Sequence, residues 1–219
     1  MRAQLARSLA PLVDLVFPPR CPGCGLALAA QDGLCATCWD LLERPEPGAA
    51  DSVVAATLYG PVSRKLVLAF KHGGRIALAP MLARMMVARL PALSGDWLIV
   101  PVPLHRGRLW RRGYNQSALL AREVARATGQ RLLVDALQRC RSTPSLGGLG
   151  RQQRADALAG AIVTHPRHRN GLSGTQIVLV DDVLTSGATT RACAAVLHKA
   201  GVRQVIVATF ARVEGQGGG

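Results

Sequence analysis

The sequence predicts an α/β protein with a mostly parallel sheet flanked by helices. Residues 96–103 and 177–180 form short apolar runs of the kind that become strands buried on both faces. Amphipathic helical patterns lie at about 62–71 and 117–128. Strands that alternate with helices are typical of parallel sheets, and such sheets gather functional side chains at the carboxyl ends of their strands.

The N-terminal residues 1–19 contain an apolar run that faintly resembles a signal peptide. Asp14 interrupts this run, and no small-x-small cleavage site follows it. We therefore favour an amphipathic lead-in over a secretion signal. Nothing in the chain approaches 18 consecutive uncharged apolar residues, so we expect no membrane span and a cytoplasmic location.

A module of two Cys-x-x-Cys pairs, separated by ten residues, follows this lead-in. Its four thiols belong to Cys21, Cys24, Cys35 and Cys38. Two such pairs can close a tetrahedral site around one Zn²⁺, and four like ligands leave no open position, so the metal would be structural. The alternatives are disulfides and bare thiols that have lost the metal. We prefer zinc because no secretion signal is evident.

Two prolines and a glycine in residues 43–48 indicate a domain boundary. We therefore expect a helix and zinc-binding module in residues 1–47, a main domain in residues 48–213 and a disordered glycine-rich tail in residues 214–219. The first strand of the main domain is predicted at 53–59.

The helix predicted at 62–71 ends on Lys71, one of only three lysines in the chain. A glycine pair follows, where backbone could approach an anion, so Lys71 is a candidate phosphate ligand. The alternative is an ordinary cation that stabilises a helix C-terminus. A second helix, at about 79–90, carries methionines and leucines that we expect to pack in the core.

A strongly basic loop, residues 104–116, follows the strand at 96–103. Arginine suits bidentate contact with phosphate, and three candidates lie here: Arg106, Arg111 and Arg112. A tryptophan and a tyrosine in the loop could stack on bases. The alternative is a solvated run of charge, and we favour anion handling. Asn115 is a suitable N-cap for the helix at 117–128.

The segment after this helix is less regular. Residues 132–140 predict a strand or hairpin, and the glycine-rich residues 141–150 lead into a helix at 151–158. The glycine-rich segment could act as a lid or as a mobile connector. His165 and His168 lie in a polar turn and lack the cysteine or carboxylate company that would indicate a metal site.

The run at 177–180 leads directly into two adjacent carboxylates, Asp181 and Asp182. The small residues that follow offer backbone N–H groups and hydroxyls that can surround an anion: Thr185, Ser186, Gly187, Ala188 and Thr189. A helix predicted at 190–199 begins there, and its N-terminus favours a phosphate. The last strand is predicted at 203–210.

This pattern resembles the phosphoribosyl-pyrophosphate (PRPP) motif of type I phosphoribosyltransferases. The resemblance implies a fold of that type, with Asp181 and Asp182 as catalytic residues that hold the ribose hydroxyls. It also implies that the loop holds the 5′-phosphate and that PRPP binds with Mg²⁺. The alternative is an acidic strand end with a tight Ser-Gly turn. The agreement of the motif with its predicted strand and helix favours PRPP binding.

The charge balance is strongly positive, with 27 Lys and Arg against 13 Asp and Glu, a net charge of +14. Such an arginine bias can reflect a GC-rich genome. It also predicts attraction to polyanions such as pyrophosphate, PRPP or nucleic acid at low salt.

Several segments in order resemble the ComF family of phosphoribosyltransferase-like proteins, which is linked to DNA uptake in competent bacteria. They are the lead into the cysteines at 14–25, V-P-V-P-L-H at 100–105, R-R-G-Y-N-Q at 111–116 and the PRPP motif. This resemblance spans nearly the whole chain. It implies PRPP as a ligand, and single-stranded DNA and the competence machinery as candidate partners.

Two functions from different classes follow. The first is a Mg²⁺-dependent phosphoribosyltransferase, favoured by the intact acidic pair. The second is a non-catalytic accessory protein that binds PRPP or single-stranded DNA, favoured by the zinc module, the positive charge and the basic loop.

Overall fold

A computed structural model describes residues 19–29, 33–46, 52–72, 74–141, 153 and 160–213. Its helices are α1 (Ala36–Asp40), α2 (Pro61–His72), α3 (Ala79–Val87), α4 (Arg106–Arg112), α5 (Gln116–Thr128) and α6 (Ala188–Lys199). Its strands are β1 (Val53–Leu58), β2 (Trp97–Pro101), β3 (Arg131–Leu132), β4 (Leu137–Arg139), β5 (Ile162–Thr164), β6 (Gln176–Leu184) and β7 (Gln204–Arg212). The predicted lead-in, most of the segment 141–158 and the tail lie outside the described residues.

The main sheet has the strand order β1-β7-β6-β2-β3, and every neighbouring pair in it is parallel. A separate antiparallel pair joins β4 to β5. Helices pack on both faces of the main sheet, as the alternating pattern of strands and helices predicts. The expectation of a mostly parallel α/β sheet is confirmed.

The central strand β6 is buried on both faces. Val178 and Val180 pack with α2, α3 and α5, whereas Ile177 and Leu179 pack with α6 on the opposite face. All four are fully buried. This two-residue alternation is the period of a strand, and it explains why the sequence here is continuously apolar.

The prediction for the end of this strand is wrong in one respect. We expected the strand to stop before the acidic pair, but β6 continues to Leu184 because β7 pairs with it as far as Arg212. On the other side β2 ends at Pro101, opposite Val180. The acidic pair therefore lies where β6 extends beyond β2 and its edge is open on that side.

The basic loop is also not a loop, since residues 106–112 form α4. His105 caps its N-terminus, because the imidazole Nδ1 accepts a hydrogen bond from the Gly107 N–H at 3.2 Å. Gly113 ends the helix in the left-handed conformation, with φ of 77°.

Other boundaries shift by smaller amounts. The second helix ends at Val87 rather than Leu90, and the motif helix begins at Ala188 rather than Thr190. The segment 132–140 is not a hairpin, because β3 pairs with β2 and β4 pairs with β5. The prediction that Asn115 caps α5 is confirmed by the Ser117 N–H, which donates to the Asn115 Oδ1 at 3.1 Å.

Candidate functional site

A cavity of about 490 Å³ opens beyond the end of β2 and beside the last residues of β6. The charged residues that line it are Lys71, Arg108, Arg112, Arg139, Asp181 and Asp182. They come from distant parts of the chain and meet where parallel strands end, which is the usual ligand position in an open α/β sheet. Four cations and two carboxylates give this cavity the charge pattern of a site for a polyanionic ligand.

Asp181 is held in a fixed orientation by two hydrogen bonds to one oxygen. The Ser117 hydroxyl donates to its Oδ1 at 2.9 Å, and the Asp182 N–H donates to the same oxygen at 2.9 Å. Ser117 stands in the first turn of α5, so the helix that follows the basic segment positions the carboxylate. These two bonds fix the orientation of the carboxylate, and its other oxygen, Oδ2, accepts neither of them.

The surroundings of Asp181 favour its neutral form. Burial raises the pKa of this carboxyl group, and the nearby charge of Asp182 raises it further. The hydrogen bonds from Ser117 and Asp182 and the charge of Lys71 oppose this rise, and the resulting pKa is about 7. Asp181 can therefore gain or lose a proton near neutral pH, which is a property of functional carboxylates.

Asp182 pairs with a cation instead. Lys71 Nζ lies 3.0 Å from Asp182 Oδ2, and both side chains are largely shielded from solvent. The C-terminus of α2 supplies Lys71, as the sequence predicted, and the structure brings it into the same cavity as the acidic pair.

The predicted phosphate loop lies beside these carboxylates. Thr185 and Thr189 line the cavity, and Ser186 and Gly187 form the turn between them. Gly187 has φ of 69°, which a residue with a side chain adopts only at a cost, and its carbonyl accepts hydrogen bonds from the Thr190 hydroxyl and the Arg191 N–H. Ala188 is buried at the start of α6. The turn therefore places Thr185, Thr189 and the N-terminus of α6 at the cavity, whereas Ser186, Gly187 and Ala188 are not among the residues that line it.

The predicted arginines separate in the structure. Arg112 lines the cavity and donates to the Gln116 Oε1 at 3.0 Å. Arg106 is exposed at the start of α4 and is not among the residues that line this cavity. The backbone of Arg111 lies in α4, but its side chain is outside the described part of the structure.

Sequence reasoning missed several side chains that line the cavity, among them Tyr59, Arg108, Ser117 and Arg139. Arg108 and Arg112 lie four residues apart on α4 and so share one face, a spacing that would have indicated Arg108 once the helix was predicted. Arg139 comes from β4, and burial and the nearby charge of Arg108 lower its pKa. No local signal marks Arg139.

A second cavity of about 260 Å³ adjoins the first and shares Lys71 and Arg112 with it. Its other lining residues are His72, Gly74 and Tyr114. The Tyr114 hydroxyl donates to the Phe70 carbonyl at 2.5 Å. This bond joins the segment just after α4 to α2. The shared cations therefore stand between two spaces, each of which could hold one part of an extended anion.

The zinc module has the geometry of a four-thiolate site. The Sγ atoms of Cys21, Cys24, Cys35 and Cys38 all lie within 4.8 Å of one another, and sulfurs around a tetrahedral Zn²⁺ are about 3.8 Å apart. The Cys24 and Cys35 sulfurs are 3.5 Å apart and unbonded, so the disulfide alternative does not describe this structure.

The backbone of the module supports this site. The N–H groups of Cys35 and Cys38 each approach a cysteine sulfur at 3.4 Å. Burial opposes ionisation of Cys21, but backbone hydrogen bonds outweigh it and lower the pKa of this thiol to about 6. Burial and the neighbouring cysteines raise the pKa of the Cys38 thiol, so in the absence of a metal the four thiols do not all ionise together. These residues fit a structural Zn²⁺, and their thiol sulfurs are the atoms that would hold it.

His165 and His168 have a carboxylate neighbour that the sequence did not reveal. His168 Nε2 lies 2.8 Å from the Oδ1 of Asp135, which is 33 residues away in sequence. The expectation that these histidines lack such company is wrong, because β4 and β5 pair and bring their flanking turns together.

No helix among the described residues is both long and apolar enough to cross a membrane.

Comparisons with known proteins define the class first. Residues 12–49 match the double zinc ribbon domain, and residues 115–217 match the phosphoribosyl transferase domain. The predicted combination of a zinc ribbon and a phosphoribosyltransferase-like α/β domain is confirmed. The glutamine PRPP amidotransferase from B. subtilis, solved with ADP and GMP, is similar over 64% of this chain and 30% of its own, with 19% identity and a TM-score of 0.43.

Two curated relatives define the family. Competence protein F of Haemophilus influenzae is 30% identical over 200 residues, which cover 89% of this chain and 85% of that protein. DNA utilization protein YhgH of Salmonella typhimurium is 33% identical over 193 residues, which cover 85% of this chain and 81% of that protein. The chain belongs to the ComF family.

Proposed function

We propose that the cavity binds PRPP together with Mg²⁺ and that the protein transfers the phosphoribosyl group to an acceptor. One observation carries this proposal: the acidic pair, two threonines of the phosphate loop (Thr185 and Thr189) and four cations line a single cavity at the open edge of β6. An acidic strand end with a tight turn does not by itself require the cations that converge there.

We assign the parts of the ligand by charge. The ribose hydroxyls would donate to Asp181 and Asp182, and the 5′-phosphate would lie against the turn 185–189 and the N-terminus of α6. The pyrophosphate would contact Lys71 and Arg112, which both cavities share. Arg108 and Arg139 add positive charge from the other elements around the cavity.

Carboxylate and hydroxyl oxygens, the ligands that Mg²⁺ prefers, line this cavity, so its donor set fits the ion that accompanies PRPP. When bound, Mg²⁺ would supply positive charge to the pyrophosphate. Lys71 and Arg112 would stabilise the same leaving group.

Transfer breaks the bond from C1′ to the pyrophosphate oxygen and forms a bond from C1′ to the nucleophilic atom of the acceptor, which loses a proton. The bonding electrons leave with pyrophosphate. Positive charge develops on the ribose, and the carboxylates of Asp181 and Asp182 would orient the sugar and stabilise that charge. Their fixed positions reduce the reorganisation that this stabilisation needs.

Calorimetry with PRPP and Mg²⁺ tests the binding step. We expect a single event with the wild type and a loss of at least tenfold in affinity when Asp181→Asn is combined with Asp182→Asn. Asp96→Asn is a matched control, because Asp96 is exposed and lies before β2. Unchanged affinity in the double variant would remove the assignment of the acidic pair. Release of pyrophosphate with a panel of acceptors tests transfer.

A second candidate function is binding of single-stranded DNA without turnover, and the position of Trp110 favours it. This side chain is 93% exposed on α4, the helix that carries the arginines, and an exposed aromatic ring in a basic surface can stack on a base. The relatives named for competence and DNA utilization agree with such a role.

Binding of an oligonucleotide at several salt concentrations tests this candidate. We expect Trp110→Ala to weaken binding, and Arg111→Ala with Arg112→Ala to reduce its salt dependence. Trp39→Ala is a control, since Trp39 is a partly exposed tryptophan in the zinc module. Equal loss in both tryptophan variants would argue against a role for α4.

The domain limits form part of the proposal. We assign residues 1–47 to the zinc-binding module, 48–213 to the phosphoribosyltransferase-like domain and 214–219 to a tail. Unbonded cysteines at the zinc site suit a reducing compartment, so we infer that the protein acts in the cytoplasm.

A further inference from the structure

Three side chains with metal-binding atoms meet at one corner of the structure, apart from the cavity and the zinc module. Asp135 lies in the turn between β3 and β4. His165 caps the 3₁₀ helix 166–171 that follows β5, and His168 lies within that helix. One ligand atom from each lies within 4.8 Å of the other two. The two imidazole rings have centroids 5.4 Å apart.

The backbone holds this corner together. The His165 N–H donates to the Ala136 carbonyl at 2.8 Å, which joins the end of β5 to the turn of Asp135. The His168 N–H donates to the His165 carbonyl at 3.0 Å. Ala136, next to Asp135, is fully buried, and so is Leu172, where the 3₁₀ helix ends. The three side chains therefore project from a fixed scaffold, which a binding site needs.

We propose that Asp135, His165 and His168 form a second metal site that binds one divalent transition-metal ion such as Zn²⁺. Two imidazole nitrogens and one carboxylate oxygen are a common set of three protein ligands for this metal. Asp135 is exposed and the histidines are half-buried, so water can complete the coordination. This site differs in its chemistry from the four thiols, because imidazole and carboxylate also accept Ni²⁺ and Co²⁺.

Contacts that the site residues already make should weaken the binding of a metal ion. His165 Nδ1 accepts a hydrogen bond from the Arg167 N–H at 3.1 Å, and a neutral imidazole has only one nitrogen free of a proton. Coordination by His165 must therefore replace this cap. Arg167 and Arg169 lie on the same 3₁₀ helix, and their positive charges disfavour the binding of a metal cation there. We therefore expect weaker affinity for Zn²⁺ here than at the four-thiolate site.

The competing interpretation is that His168 and Asp135 form an ion pair and nothing more. The two interpretations differ for His165. A simple pair does not involve this residue, whereas the metal site loses one of its three ligands without it. Variants of all three residues therefore separate the interpretations.

The test uses the full chain with one Zn²⁺ per protein, confirmed by elemental analysis, and titrates further Zn²⁺ by calorimetry. We expect one additional binding event, weakened at least tenfold in His165→Ala, His168→Ala and Asp135→Asn. His72→Ala is the control, because His72 is a histidine at the end of α2 that does not belong to this cluster. No additional event, or equal binding by the control and all three variants, would overturn the proposal.

Co²⁺ gives a second, spectroscopic readout that distinguishes this site from the four thiols. Added to the zinc-loaded protein, it should produce visible absorption bands without the near-ultraviolet charge-transfer band of a cobalt thiolate. These bands should disappear in His165→Ala. A thiolate band would show that the ion has entered the cysteine site, and this result would also overturn the proposal.

Discussion

Lys71 and Asp182 form an ion pair at 3.0 Å between the end of α2 and the strand β6. The side chains are 24% and 10% exposed, so water compensates only in part if one partner is removed. Lys71 also lines both cavities. The same cation thus stabilises the fold around Asp182 and stands where we place the pyrophosphate.

We therefore expect Lys71→Met to have two effects. It leaves a largely shielded carboxylate without its cation, which should lower the free energy of unfolding by roughly 1–3 kcal/mol. It should also weaken binding of PRPP by at least tenfold, because a phosphate contact is lost. Thermal unfolding and calorimetry measure the two effects separately.

Lys65→Met is the control, since Lys65 is exposed on the same helix. It should change neither the unfolding temperature by more than about 1 °C nor the affinity, because exposed charges contribute little. If both variants weaken PRPP binding equally, the effect comes from overall charge and not from the position of Lys71.

The raised pKa of Asp181 predicts that this residue destabilises the protein at alkaline pH. The pKa of its carboxyl group is about 7 in the folded state, whereas the ordinary value for an aspartate is 3.8. Between these values the folded state binds a proton that the unfolded state lacks, so this group's contribution to stability falls as pH rises to 7. At pH 8 Asp181 is charged in both the folded and the unfolded state. The folded protein then carries the full free-energy cost of a buried charge at this position.

Asp181→Asn should therefore stabilise the protein at pH 8, by on the order of 1–2 kcal/mol, while weakening PRPP binding. Asparagine keeps an oxygen that can accept from Ser117. The gain should shrink towards pH 4, where Asp181 is neutral in the folded state. Unfolding temperatures of both proteins from pH 4 to 8 measure this. Asp182→Asn should act in the opposite direction, because it breaks the ion pair with Lys71.

The sequence predicted most of the fold because hydrophobic periodicity is a local property. The run at 177–180 is continuously apolar because its residues alternate between two buried faces of the sheet. Its short length and β-branched composition, with a helical pattern after it, predict a central strand. The zinc cysteines and the acidic pair were predicted for a similar reason, since the residues of each motif lie within a short stretch of the sequence.

The missed features depend on pairing between distant segments. Arg139 enters the cavity because β4 pairs with β5, and Asp135 reaches His168 for the same reason. The assembled core sets the register of an antiparallel strand pair, so a local sequence pattern does not predict it. The helix α4 was missed because seven mostly charged residues have little apolar periodicity, and its caps decide its limits.

Gly187 in the phosphate loop gives a test of the loop itself. Its φ of 69° is strained for any residue with a side chain, and an added Cβ would lie 2.8 Å from Arg191 Nη1. Gly187→Ala should cost about 1 kcal/mol of stability and distort the turn that we assign to the 5′-phosphate. We expect at least a tenfold loss of PRPP affinity by calorimetry.

Gly129→Ala provides the comparison for this variant. Gly129 has φ of 71° after α5 and open space around its Cβ position, so the backbone strain is matched and the phosphate loop is untouched. The two variants should unfold at similar temperatures, and only Gly187→Ala should lose affinity. An equal loss in both would attribute the effect to stability alone.

The zinc module offers a prediction about close packing. A Cβ on Gly23 would lie 2.8 Å from Cys38 Sγ and 3.3 Å from a Val62 methyl group, so alanine would displace a metal ligand at the contact with α2. We expect Gly23→Ala to lower the zinc content measured by elemental analysis and to reduce the unfolding temperature, since loss of a structural metal removes stability. Gly33→Ala, with open space around it, should keep one zinc per chain. Full zinc content in Gly23→Ala would show that the module tolerates displacement of Cys38.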